Sequence, residues 1–488
     1  MNTPIKRRSF LSSLVLLFAF SRCKKDSAPG PGSGLTGTHP VPPVVSSDYL
    51  GQFTTTEIGA GLETERPDIA KIIKCYSDKL TYYPGDTVIL YISGAINSHQ
   101  LITFTDAAEK VILRINKAIT TQPNSSEKPW LNGSGYRPTV AILLPANLKS
   151  GVYRFIANGV IICSIICKSK TKTNDITVVY PSNTDTAYNM QGGKSLYRPE
   201  NARSTVASYA RSIWGAADYT SGFLKWACNE PYDMRFISDP DLDDYTEIQD
   251  TKIIIIAGHS EYWTREARMN IDKFIASGKN VLILSGNTMY FQVRYNSTKD
   301  LMICYKDKKL DPLGDTIYST IFWSTPQLQY PTITSIGADF EGGGYGTTLP
   351  GGFKGYKIVN EKSPLFEGTG LKNGEILNLP TLEYDGAPVV KMIQPGSKEI
   401  PVIDNSKLNF HKIELLGYDF AINWGNKGLG TFIVFKKTAT SGTVVNVAST
   451  NWCASNGIEG KDGPKIIRIT KNMIEKSLNN QTLFTSQV

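Results

Sequence analysis

The sequence predicts a two-part fold: an all-β sandwich of immunoglobulin-like type, then an α/β domain on a doubly wound open sheet. Three observations carry this. Short β-branched runs separated by Gly and Pro fill residues 68–172. From about residue 175 strand and helix patterns alternate. Residues 253–257 and 281–284 are apolar throughout, as in strands buried on both faces of a parallel sheet. The 488 residues suit about three folding units at ~150 residues each. Hydrophobic residues make up 41% and charged residues 20%, ordinary globular usage that excludes a disordered chain, a collagen or a coiled coil.

Taken in order, residues 1–26 read as an export leader. Lys6-Arg7-Arg8 precedes an apolar run over 11–20 broken only by Ser12 and Ser13, which is too short for a mature membrane span. Arg7-Arg8-Ser9-Phe10-Leu11 resembles a twin-arginine signal, and Cys23 before Lys24-Lys25-Asp26 resembles the lipidated Cys of a bacterial lipoprotein. The expectation is an exported protein, anchored to a membrane only through Cys23. Residues 27–67 form a tether and lead-in, rich in Ser, Pro and Gly at first. The formal charge is +8, but six of the 52 basic residues and one of the 44 acids lie in 1–26, leaving +3 for the rest. The basic balance therefore belongs to the leader, and no nucleic-acid partner is expected.

In the sandwich, Thr87–Ser93 alternates, later strands fall at 140–144 and Gly151–Ala157, and 120–136 reads as a long loop. Cys163 and Cys167 share a strand face; they pair with each other or with Cys75, or remain buried thiols. In the second part, expected over 173–475 with 476–488 as a tail, strands are predicted at Ile176–Tyr180, Met234–Ser238, 253–257 and 281–284. Tyr219 to Cys228 has helical spacing. Thr264 caps a helix over 265–277 whose buried stripe is Ala267, Ile271, Phe274 and Ile275, and Gly278 closes it. Pattern alone does not order residues 310–470.

In an open parallel sheet, ligands bind beyond the carboxyl ends of the strands. Three such ends carry polar and aromatic residues. They are the loop through Tyr188, Asn189 and Gly192-Gly193-Lys194-Ser195-Leu196-Tyr197; Gly258-His259-Ser260-Glu261-Tyr262-Trp263; and Ser285-Gly286-Asn287. Gly192-Gly193-Lys194-Ser195 lacks the spacing of a phosphate loop. Taken together with Pro364-Leu365-Phe366-Glu367-Gly368-Thr369-Gly370, Glu383-Tyr384-Asp385-Gly386 and Ala448-Ser449-Thr450-Asn451-Trp452, these motifs follow one order over about 175–455. The set resembles the C-terminal domain of the N,N-dimethylformamidase large (beta) subunit family.

That resemblance implies a glutamine-amidotransferase-like or flavodoxin-like α/β domain. It also implies a mononuclear Fe(III) held by two tyrosines and a glutamate, used to hydrolyse a small amide. By motif, Tyr188 and Glu261 are ligands, and Tyr197 stands in for the second tyrosine. Phenolate and carboxylate are hard oxygen donors suited to such an ion. His259 then serves as a hydrogen-bond donor behind the ligands or as a proton shuttle, and Asn287 or backbone N–H groups face a developing oxyanion. Two further readings stay open. Ser260 follows a strand directly and is a candidate nucleophile, although Glu261 replaces the small residue a nucleophile elbow needs. Alternatively the protein is a non-catalytic cell-surface module binding carbohydrate or peptide. Oligomeric state is not legible.

Overall fold

A computed structural model describes residues 73–94, 97–212, 218–346 and 349–485. The leader with Cys23, and the tether, lie outside the described residues.

Residues 74–167 make two sheets. Thr87–Ser93 sits between Lys74–Ser77 and Pro138–Leu143 in an antiparallel three-stranded sheet. The other sheet runs Thr81–Tyr82, Val160–Cys167, Gly151–Ala157, Ser98–Asp106, Val111–Ile119. Alternation along Thr87–Ser93 turns Val88, Leu90 and Ile92 inward, where they share a core with Phe104, Phe155 and Ile165. The stretch read as a long loop carries the short helix Pro129–Asn132. Cys75, Cys163 and Cys167 are buried there as free thiols, and the other cysteines among the described residues are free as well.

The remainder is organised by one eleven-stranded sheet. Five neighbouring strands are parallel: Met234–Ser238, Ile176–Tyr180, Ile253–His259, Asn280–Gly286 and Thr443–Asn446. The direction then reverses. Asn426–Lys436, Lys412–Asn423, Asp339–Tyr345, Glu383–Gly386, Gly355–Ile358 and Ile376–Asn378 are all paired antiparallel. This corrects the expected doubly wound, flavodoxin-like or glutamine-amidotransferase-like α/β sheet. Among the described residues strand makes up 34% and helix 18%, and the strands are spread over several sheets. The expectation extrapolated from the strand–helix–strand run at 253–284. A parallel strand needs a long crossover, whereas Lys412–Asn423 and Asn426–Lys436 are joined by two residues, which permits only an antiparallel pairing.

Within the parallel part, successive residues point to opposite faces. Ile253, Ile255 and Ala257 enter one core, with Ile466, Ile469 and Met473 of the helix Gly463–Leu478. Ile254 and Ile256 enter the other, with Ile271, Phe274 and Ile275 of the helix Arg265–Ala276. Thr264 caps that helix, its Oγ1 accepting the Ala267 N–H at 3.1 Å.

The two parts meet at a buried ion cluster. Lys168, just after Val160–Cys167, places Nζ 2.7 Å from Asp241 Oδ1 and 3.3 Å from Glu247 Oε2. Glu247 is also paired with Arg235 and, at 2.7 Å, with Lys172.

Candidate active site

The site forms where the parallel strands end. His259 is the last residue of Ile253–His259 and lies opposite Gly286 in the register. A Cβ on Gly286 would meet Thr450 N at 2.4 Å and Glu383 O at 2.7 Å, so only glycine lets the Glu383 backbone close over this strand end. That approach brings Glu383 from the antiparallel part to His259, whose Nε2 lies 3.2 Å from Glu383 Oε2 and 3.5 Å from Glu261 Oε2.

Glu261, 1% exposed, is fixed through its backbone. Its N–H donates to Thr184 Oγ1 at 2.9 Å, and its carbonyl accepts the Tyr290 and Phe291 N–H groups at 2.8 and 3.0 Å. Tyr188 ends the helix Ser182–Tyr188 and donates its phenol proton to Glu261 Oε2 at 3.0 Å. Tyr197 donates to Glu261 Oε1. Its loop is held by the Leu196 N–H on Ala187 O and by Ser195 Oγ, which accepts two backbone N–H groups. The two phenol rings stack, centroids 4.2 Å apart. Both oxygens of one buried carboxylate thus each accept a tyrosine.

Electrostatics follow from burial. Burial, and then the Glu261 charge, push both phenols well above the usual tyrosine range. Burial raises the Glu261 carboxyl, with His259 and Lys306 pulling the other way. Burial opposes a charged His259, but Glu383 first and then Glu261 outweigh it, so the imidazole titrates above its ordinary value. Lys306 donates to Tyr262 Oη at 2.6 Å and sits 3.3 Å from the centre of the Tyr197 ring. Burial pulls its ammonium down to about 8.

The structure brings together Tyr188, Tyr197, His259, Glu261 and Asn287. Asn287 does so with an altered contact: its Nδ2 donates to Glu383 Oε2 at 3.3 Å, while its Oδ1 is buried without a partner. Ser260 is not part of the group. Its hydroxyl accepts the Trp263 indole N–H at 3.0 Å, and among the described residues no imidazole engages it. Glu383 and Lys306 had no role in the sequence reading. Glu383 stood inside a quoted motif, and its signal was a carboxylate in a four-residue run with no apolar stripe. Nothing local marks Lys306.

The donor chemistry fits a hard cation. Among the described residues no group of three His, Cys, Asp or Glu side chains is placed to hold a metal, so the donors to consider are Tyr188, Tyr197 and Glu261. They converge, all through oxygen, and become a hard anionic set once the phenol protons leave.

A family model described as N,N-dimethylformamidase beta subunit-like, C-terminal, matches residues 105–461. The chain belongs to this family. No curated protein matches it. The resemblance read from the motifs is borne out, and the matched region starts inside the β-sandwich, well before the 175 inferred from the motifs. Membership in the dimethylformamidase-like family suggests an amide hydrolase.

Proposed function

We propose that the protein hydrolyses a small amide-type C–N bond with the help of a metal ion, Fe(III), held by Tyr188, Tyr197 and Glu261. The observation that carries this reading is that both oxygens of the buried Glu261 carboxylate accept tyrosine phenols, beside a histidine flanked by a second carboxylate. When bound, such an ion polarises an amide carbonyl and acidifies a water. The chain's own groups would do the rest. His259 Nε2 lies 3.2 Å from Glu383 Oε2, and the neighbouring carboxylates raise its titration, which favours the imidazolium as the group that delivers a proton to a departing amine. Asn287 holds Glu383 in place through Nδ2 and offers its unpaired Oδ1 to a substrate N–H. Trp263 restrains Ser260, so a serine nucleophile is not part of this reading.

We further propose that the protein is exported and lipid-anchored at Cys23, supported by the basic and apolar pattern of residues 1–26.

Metal analysis and the visible spectrum of protein expressed in iron-replete medium test the first proposal. The expected result is about one iron per chain with a phenolate-to-Fe(III) band, weakened or lost in Tyr188→Phe. A folded protein that carries no iron and takes up none would overturn it.

A further inference from the structure

The hairpin Lys412–Asn423/Asn426–Lys436 turns through Trp424 and Gly425 alone. Their φ values are 47° and 85°, so both residues are left-handed, as a type I′ turn requires. Asn or Asp is the usual choice at the first position, because few other side chains tolerate that backbone. Here it is a tryptophan, and it is 60% exposed. Neither turn preference nor burial accounts for it. The tip is also fixed, since the buried Asn423 Nδ2 donates to Phe340 O at 2.6 Å.

The place of this tryptophan is informative. Its ring meets Tyr345 edge-on at 5.9 Å. Tyr345 lies directly across the sheet from Ile422 on one side and Glu383 on the other. One half-buried ring thus separates Trp424 from the carboxylate that contacts His259. Tyr219, half-buried, stands edge-on to His259 at 5.2 Å on the same site.

We infer that Trp424 and Tyr345 form an aromatic platform at the mouth of the site, and that the amide it takes carries a flat aromatic substituent. This rests on the site being an amide-binding one, and it narrows the substrate class to aryl or aroyl amides.

The test is equilibrium binding by calorimetry, with benzamide and acetamide as probes on the purified protein and on Trp424→Asn. Benzamide is expected to bind more tightly than acetamide. Trp424→Asn should weaken benzamide by about tenfold, the upper end of what one aromatic pair contributes, and leave acetamide unchanged. Trp424→Phe should keep most of the affinity. Because Asn suits the turn, Trp424→Asn should melt no lower than the parent, so lost affinity cannot be ascribed to misfolding. Equal affinity for the two probes, affinities insensitive to Trp424, or a Trp424-dependent preference for N-acetylglucosamine over benzamide would each overturn the inference. Binding is read without turnover, so a protein that binds benzamide through Trp424 but neither holds iron nor hydrolyses it would leave this inference standing while the metal-hydrolase reading fell.

Discussion

At the residue scale, Glu261 decides what the site can hold. Its two oxygens organise both tyrosines, and its charge is the nearest anion to His259 after Glu383. Glu261→Gln keeps the size and one acceptor but removes the charge a cation needs. The expected outcome is loss of bound metal with an unchanged far-UV circular dichroism spectrum. An unchanged metal stoichiometry would refute the ligand assignment. Asp385 shows the opposite behaviour, a carboxyl kept neutral. It is fully buried, accepts the Thr288 N–H at 3.1 Å, and is pushed by burial from 3.8 up to about 8. The folded state therefore holds a proton that the unfolded chain releases. The contribution of Asp385 to stability is full below pH 3.8 and falls as pH rises towards 8. Asp385→Asn should flatten that slope, so its melting temperature relative to the parent rises between pH 5 and pH 8; a constant difference would count against the assignment.

Among the elements, the helix Arg265–Ala276 rests on a cap readable in the sequence. Thr264 Oγ1 accepts the Ala267 N–H and also donates to Asp243. Thr264→Ala should lower unfolding stability by about 1–2 kcal/mol in urea titration. The strands Ile176–Tyr180 and Met234–Ser238 fall where the sequence placed them, and the helix ends one residue before the expected 277. Those segments announce themselves because their burial follows a period. Glu383–Gly386 does not: its four residues are all buried, yet they read Glu-Tyr-Asp-Gly. A Cβ on Gly343 would lie 2.0 Å from Tyr384 O, so backbone packs against backbone there and hydrophobic alternation has nothing to report. The same cause hid the antiparallel part of the sheet, and with it the second carboxylate of the site. Tyr188 and Glu261 were each legible through the motifs that carry the family resemblance, whereas their pairing shows only in the structure, where Tyr188 ends the helix Ser182–Tyr188.

At the scale of the whole molecule, the sandwich is joined to the large sheet through Glu247 and its cations. Burial opposes ionisation of Glu247, but Lys172, Arg235 and Lys168 outweigh it and hold the carboxyl down at about 2. Its contribution is present above pH 4.5 and lost as pH falls through 2. Glu247→Gln would leave Arg235 buried without its counter-ion, with an expected loss of about 3–5 kcal/mol in denaturant unfolding near neutral pH. The parent and variant should converge as the medium approaches pH 2.

The closure of Glu383 over Gly286 also has a kinetic side. Tyr188, Glu261 and Glu383 are far apart along the chain, and neither the parallel nor the antiparallel part alone contains the full set of groups. Loops this long close slowly, so refolding should regain secondary structure first and competence to bind metal or amide later. Competence would then report finished assembly rather than local folding, and a partly folded chain would carry no working centre.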